Sequence, residues 1–286
     1  MNPEYKKYVK YGDQIMIYHG DFHTHTTYSL HAMSSPSEMV EEAINIGLKY
    51  LAITDHHMTY YTRSRQSDYF NRKNQAARAY EINRSFARFS NNGTIKVIPG
   101  FEYNLFTTEI DPSFIGDDIP HLRNIGYHSW YMKLEDTTIN EYLYEIERRF
   151  ATGFYKILVH PERDIDMLGK NCEEGDIDSD KNLRKLMYEI CELCDKYKII
   201  IECNNSSLAD PLISKEKKDR NIKRMKTWIR GAQLYGLNIA VNSDAHVKYD
   251  VGNCYESFKL LESMGVDKRS IVNFDTNMIE DLIAPK

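Results

Sequence analysis

Short apolar runs recur along the chain, each followed by a longer stretch in which apolar residues return every three or four positions. The runs fall at residues 15–18, 50–53, 95–98, 124–127, 156–159, 199–201 and 237–241. Several are rich in β-branched residues, as buried strands are; the fourth is placed mainly by its position in the series. The longer stretches predict helices. Ser35-Pro36-Ser37-Glu38 supplies an N-cap, a proline at the first helical position and a capping-box glutamate, opening a helix that runs to about residue 48. The same periodicity predicts helices over 72–89, 139–150, 182–196, 220–235 and 255–264. Strands alternating with helices of this length form βα units on a parallel sheet. About seven such units fit a closed or nearly closed α/β barrel better than an open sheet. Two long irregular stretches, 59–67 and 107–123, are read as loops beside strand ends, either covering a substrate or merely decorating the surface.

The residues just after the predicted strands carry the chemistry. The first strand leads into Asp21-Phe22-His23-Thr24-His25, with His31 six positions beyond His25, and the second into Thr54-Asp55-His56-His57. The third is followed by Gly100-Phe101-Glu102, the fourth by His128, and the fifth by His160-Pro161-Glu162-Arg163. The sixth runs into Glu202-Cys203-Asn204-Asn205, the seventh into Asn242-Ser243-Asp244-Ala245-His246. Eight of the ten histidines thus sit beyond strand ends, with only His19 and His121 elsewhere. In a parallel barrel all strand C-termini open on one face, so residues remote in sequence converge there. Imidazole and carboxylate are ligands of divalent zinc, iron and manganese, and the two rings of an HxH share a side of an extended chain.

Composition narrows the classes. A chain of 286 residues with 42% hydrophobic content suits one large domain over residues 1–286. A net charge of −5 argues against nucleic acid as the partner, although a local basic groove stays open. The polar N-terminus has no apolar signal region, and no apolar run is long enough for a membrane span. Five cysteines, an odd number, fit reduced thiols in a cytoplasm. Cys191 and Cys194 form a CxxC without a second pair, which reads as two thiols on a helix face. The basic stretch 215–226 reads as a solvated helix face.

Taken together, the strand-end motifs resemble the PHP (polymerase and histidinol phosphatase) family. DFHTHTTYSLH is similar to its first motif, AITDHH to its second, GFEYN to its third, GYHSW and LVHPE to its two isolated histidines and NSDAH to its closing DxH. The resemblance runs from about residue 20 to residue 246. It implies a distorted (β/α)7 TIM-like barrel holding three divalent metal ions. His23, His25, Glu102 and Asp244 would hold the first; Glu102, His128 and His160 the second, with Glu102 bridging; His31, His56 and His246 the third. Seven imidazoles and two carboxylates suit zinc, iron or manganese rather than magnesium. The implied activity is hydrolysis of a phosphate ester by a metal-activated hydroxide. The expected substrate is a small phosphomonoester, of the histidinol-phosphate, nucleotide or sugar-phosphate kind.

Other members of the clusters have two readings each. Asp21 and Asp55 orient ligand histidines or simply close turns. His57 is an alternative ligand, a leaving-group acid or a surface residue. Glu202 hydrogen-bonds a ligand or closes the pocket. Arg163 clamps phosphate through its planar guanidinium or pairs with a neighbouring acid. Two competing enzyme classes share the metal set. A phosphodiesterase or nuclease is disfavoured by the acidic charge. An amidohydrolase-type enzyme commonly places a bridging lysine after its fourth strand, where NIGYHSWYM offers none before Lys133.

Overall fold

The computed structural model describes residues 7–29, 31–56, 93–105, 122–127, 138–165, 168 and 179–284. Within them, two strands form an antiparallel hairpin, β1 (Tyr8–Tyr11) and β2 (Gln14–Ile17). Seven parallel strands then follow one another around a single sheet in chain order. They are β3 (Gly20–Asp21), β4 (Tyr50–Ile53), β5 (Lys96–Asn104), β6 (Leu122–Gly126), β7 (Ile157–Leu158), β8 (Ile200–Asn204) and β9 (Ile239–Asn242). Just beyond the last and first strands the chain closes on itself: Thr24 and Ala245 form a parallel bridge. There the Asp244 N–H donates to the His23 carbonyl at 3.0 Å and the His25 N–H to the Ala245 carbonyl at 2.8 Å. The sheet is therefore a nearly closed seven-stranded α/β barrel, as expected.

The helices form where their caps and apolar stripes dictate. Helix α1 (Pro36–Asn45) starts with the anticipated Ser35–Glu38 capping box, and α2 (Ile139–Phe150) with a second one from Thr138 and Glu141. The short α3 (Pro161–Asp164) directly follows β7, and α4 (Asp180–Tyr197) precedes β8. Beyond β8 come the short α5 (Ser206–Ala209) and the long α6 (Lys215–Tyr235); α7 (Tyr255–Ser263) and α8 (Thr276–Ile283) end the chain. Cys191 and Cys194 are buried free thiols on α4, Cys191 against Gly231 of α6. The 215–226 stretch is solvated on one side, but Arg224 and Met225 are buried.

Side-chain alternation divides the core in two. Leu51, Ile53, Val97, Leu158, Ile201 and Val241 point outward, into the layer under the helices. Tyr50, Ala52, Ile98, Leu122, Ile157 and Ala240 point inward and pack with Ile279, Leu282 and Ile283 of α8, which plugs the N-terminal end of the barrel. Two residues per step up the strands, the inward positions change from apolar to polar. Residues 52, 98 and 240 are Ala, Ile and Ala; residues 56, 102 and 244, four places further on, are His, Glu and Asp. Strand period aims Glu102, inside β5, at the C-terminal mouth, and the His56–Glu102 bridge carries the β4 line on to His56; Asp244 lies beyond β9 and reaches the mouth through its own backbone turn.

One strand differs from expectation. The apolar run 15–18 is not the first barrel strand: residues 14–17 form β2 of the hairpin, whose Ile15 side chain is 74% exposed. The first barrel strand is Gly20–Asp21. Gly12, at φ +60°, makes the hairpin turn possible and draws the apolar run into it. Two smaller shifts matter for the site. Glu102 lies inside β5, not beyond it, and residues 122–123 belong to β6, not to a loop. The predicted helix 72–89 and the stretches 59–67 and 107–121 lie outside the described residues.

Candidate metal centre

Eight of the nine residues in the expected ligand set are described, and they meet at the C-terminal mouth; His128 lies outside the described residues, as does His57. Ligand atoms of His23, His25 and Asp244 lie within 4.8 Å of one another; so do those of His23, Glu102 and His160, and those of His25, His56 and His246. Glu102 is central. Its Oε2 is 3.4 Å from Nε2 of both His23 and His25 and 2.9 Å from His56 Nδ1, while its Oε1 is 2.7 Å from His160 Nε2. Asp244 Oδ1 faces the same two imidazoles, His23 and His25, at 3.7 and 3.3 Å. His31 joins through His246, their Nε2 atoms 2.7 Å apart.

Local backbone makes this convergence possible. His160 and Asp244 both adopt left-handed conformations, at φ 33° and 55°. For non-glycine residues this is costly; Lys198, at φ 56°, adopts it as a helix C-cap, whereas His160 and Asp244 adopt it among the ligand candidates. Gly126 leaves room: a Cβ there would stand 2.8 Å from His160 Cε1 and 2.9 Å from Val159 Cγ2.

The hydrogen bonds fix which ring nitrogen faces inward. His23 Nδ1 lies 2.9 Å from Glu202 Oε1, an acceptor, so Nδ1 carries the proton. Ser29 gives its one hydroxyl proton to Asp55 Oδ1 at 2.7 Å, so it must accept from His25 Nδ1–H at 2.9 Å. His246 Nδ1 faces the Asp244 carbonyl at 2.9 Å and likewise donates. With both Nδ1–H groups engaged, the Nε2 atoms of His23 and His25 turn toward one another at 3.1 Å. Two Nε2 atoms at that distance share a proton or face a common cation, and with a metal bound both lone pairs are available to it. The donor set and this pairing fit a divalent metal.

The electrostatics show how the buried acids at this end are compensated. Asp21, Asp55, Glu102, Glu162, Glu202 and Asp244 are all buried near this end of the barrel. Uncompensated buried charge is expensive. Burial would lower the pKa of His23, but Glu202, Asp244 and Glu102 outweigh it and lift it well above the ordinary value. Burial opposes charge on His25 too, and contacts with Asp244 and Glu102 raise its pKa. Burial would raise Asp244, yet His23, His25 and Arg163 hold it well below the usual carboxylate range. On the far side, burial and the neighbouring His25 push His246 down to about 3 and lower His31. The carboxylate side draws in positive charge, while the His31–His246 side keeps its imidazoles neutral.

The remaining candidates have definite positions. Asp21 accepts from the Ser243 hydroxyl and from the Ser243 and Gly252 N–H groups, tying β3 to the loop after β9. Asp55 accepts from Ser29 and from Thr26, side chain and backbone. Arg163 donates from Nη1 to Asp244 Oδ2 at 2.7 Å and lines the cavity. Sequence reasoning assigns no role to Ser29, Asn204 or Asn242, which hold the ligand residues or their partners. Asn204 and Asn242 stand inside strand-end motifs, and Ser29 stands inside DFHTHTTYSLH between two ligand candidates. The cavity above the cluster has a volume of about 650 Å³. Its floor includes His31, His56, Glu102, His160, Asp244 and His246, and its wall continues past Asp210 and Ile213 to Lys217.

Known proteins share the family and the fold. A family model described as "PHP domain" matches residues 21–206. A probable phosphatase, YcdX, of Escherichia fergusonii is 24% identical over 262 residues, covering 90% of each chain. Its counterpart in Escherichia coli K12 is 25% identical over 259 residues, again covering 90% of each. Among solved structures, the histidinol phosphate phosphatase HISK of Lactococcus lactis, complexed with zinc, L-histidinol and phosphate, superimposes with a TM-score of 0.55 at 19% identity. That superposition covers 88% of this chain and 94% of the other, and it shows the shared barrel.

Proposed function

This chain belongs to the PHP domain family, and on that premise we propose that it is a metal-dependent phosphatase acting on a small phosphomonoester. The observation that carries the reading is the approach of His23 Nε2 to His25 Nε2, 3.1 Å, beside the Glu102 and Asp244 carboxylates. We assign His23, His25, Glu102 and Asp244 to one divalent ion. Glu102, His128 and His160 are assigned to a second, and His31, His56 and His246 to a third. Zinc, iron and manganese all suit these donors; zinc is the metal in the Lactococcus lactis protein. When bound, such ions supply Lewis acidity toward water and phosphoryl oxygen.

The chain's own residues do the rest. Glu102 sits between the sets and carries charge to both. Ser29 and Glu202 hold the His25 and His23 rings with Nε2 inward. Arg163 holds Asp244 and faces the cavity, where its guanidinium suits a phosphoryl group. A cavity of about 650 Å³ is in the range of small-molecule sites. A monoester brings more negative charge than a diester to a pocket of crowded cations, and should be preferred. Histidinol-phosphate-like, nucleotide and sugar-phosphate monoesters all satisfy that description. The whole chain, residues 1–286, is read as one PHP-like barrel domain.

The test compares an aryl phosphate with a bis-aryl phosphodiester on one metal-loaded preparation. Faster hydrolysis of the monoester supports the reading. Preferential cleavage of the diester, or of single-stranded nucleic acid, would move the protein to the nuclease class.

A further inference from the structure

We infer that Glu202 is the positioning residue shared by two of the metal sets, fixing the His23 ring and the His160 backbone with one carboxylate. The inference rests on the metal reading above. Four donors converge on this buried group. His23 Nδ1–H and Asn242 Nδ2 donate to Oε1, both at 2.9 Å. The His160 N–H and Asn204 Nδ2 donate to Oε2, at 2.9 and 3.0 Å. His23 belongs to both compact clusters around Asp244 and Glu102, and His160 to the second. Asn204 Nδ2 also reaches Asp244 Oδ2 at 3.3 Å, so the network touches a third ligand candidate.

The donors are themselves held in place. Asn242 Oδ1 accepts the Phe22 N–H at 2.9 Å, and Asn204 Oδ1 accepts the Ser207 N–H at 3.2 Å. The His160 N–H is backbone at φ 33°, and its hydrogen bond to Glu202 anchors that left-handed turn. A carboxylate is the only side chain of this length that accepts on both oxygens. The isosteric amide cannot do so. In Glu202→Gln, an NH2 turned toward His23 forces Nδ1 to accept, moving the ring proton to Nε2, the atom that must ligate. Turned the other way, it sets donor against donor at the His160 N–H. Either orientation damages one set while preserving shape and volume.

The experiment uses the zinc-loaded full chain. Nitrogen-15 NMR of labelled histidines reads the His23 tautomer, and competition with a chelator reads zinc affinity. The wild type should show His23 protonated at Nδ1 with Nε2 ligated. Glu202→Gln should bind zinc about 10–100-fold more weakly at its affected sites, with an altered His23 or His160 signature and unchanged circular dichroism. Wild-type affinity in Glu202→Gln with the Nδ1–H tautomer retained would overturn the inference and leave the metal reading standing. A zinc-loaded wild type whose His23 is bare at Nδ1 would overturn it without any variant. Failure of the wild type to bind zinc, iron or manganese at all would instead sink the metal reading, and this inference with it.

Discussion

Arg163 donates from Nη1 to Asp244 Oδ2 at 2.7 Å, and the other Asp244 oxygen, Oδ1, faces His25 Nε2 at 3.3 Å. One carboxylate is thus gripped by a fixed cation on one side and offered to the metal cluster on the other. Arg163→Ala should weaken both functions. Turnover of an aryl monoester should fall by about 10- to 100-fold or KM should rise comparably, in line with losing one charge-assisted contact of roughly 1.5–3 kcal/mol. Arg163→Lys should restore part of it, since lysine keeps the charge but not the planar fork. Steady-state kinetics of the two variants check this; wild-type values in Arg163→Ala would remove the arginine from the site's working parts.

Glu102 lies within 3.4 Å of His23, His25, His56 and His160, so one carboxylate meets imidazoles from all three proposed metal sets. Glu102→Ala should therefore cost more activity than any single histidine change, and should lower metal content. Turnover measured beside elemental analysis checks it. Near-native turnover with full metal would refute the bridging role.

Gly126→Ala probes space rather than charge. The added methyl carbon would stand 2.8 Å from His160 Cε1 and 2.9 Å from Val159 Cγ2, and 3.4 Å from Glu102 Oε1. The imidazole must shift by several tenths of an ångström, and catalysis is sensitive to such displacement, about 10²-fold for 1 Å. Activity should fall by roughly one to two orders of magnitude while circular dichroism stays native. Unchanged turnover would show that His160 tolerates displacement and is not a working ligand.

Ser29→Ala removes the acceptor for His25 Nδ1–H at 2.9 Å and for the His56 N–H at 3.1 Å, and strips Asp55 of a donor. Orphaning buried polar groups costs about 1–3 kcal/mol, so the melting temperature should drop. Metal affinity should drop with it, because the His25 ring loses the contact that sets its tautomer. Thermal unfolding with and without added zinc separates the two effects. A stability loss with zinc affinity intact would confine Ser29 to a structural role.

Much of this is legible from sequence because the barrel repeats one rule. A buried strand announces itself by β-branched residues, and the residues just after it land at the mouth; that places His56, His160 and Asp244 correctly. The rule fails where the strand is too short to have a pattern. Gly20–Asp21 offers no apolar run, so the pattern points to the neighbouring hairpin strand instead, although the ligand motif beyond it is still visible. Contacts that depend on tertiary packing are less visible. Glu202 can be suspected only from its strand, and Arg163 has two readings, of which the ion pair with Asp244 is present. Ser29 lies inside the first motif, yet its contacts with His25, Asp55 and the His56 N–H depend on packing that the motif does not reveal. The left-handed backbone of His160 and Asp244 is equally silent, because nothing in those residue types requests it.

Bound metal decides whether this mouth is a metal centre. Purified protein, saturated with zinc, iron or manganese and freed of excess, is analysed for bound metal per chain and then melted before and after chelation. The assigned ligands imply about three ions per chain, and a ligand that binds only the folded state raises its stability by mass action. Close to three ions per chain are expected, with a clear fall in melting temperature on their removal. Fewer than two ions at saturation, with no gain on reconstitution and no change in melting temperature, would contradict that expectation.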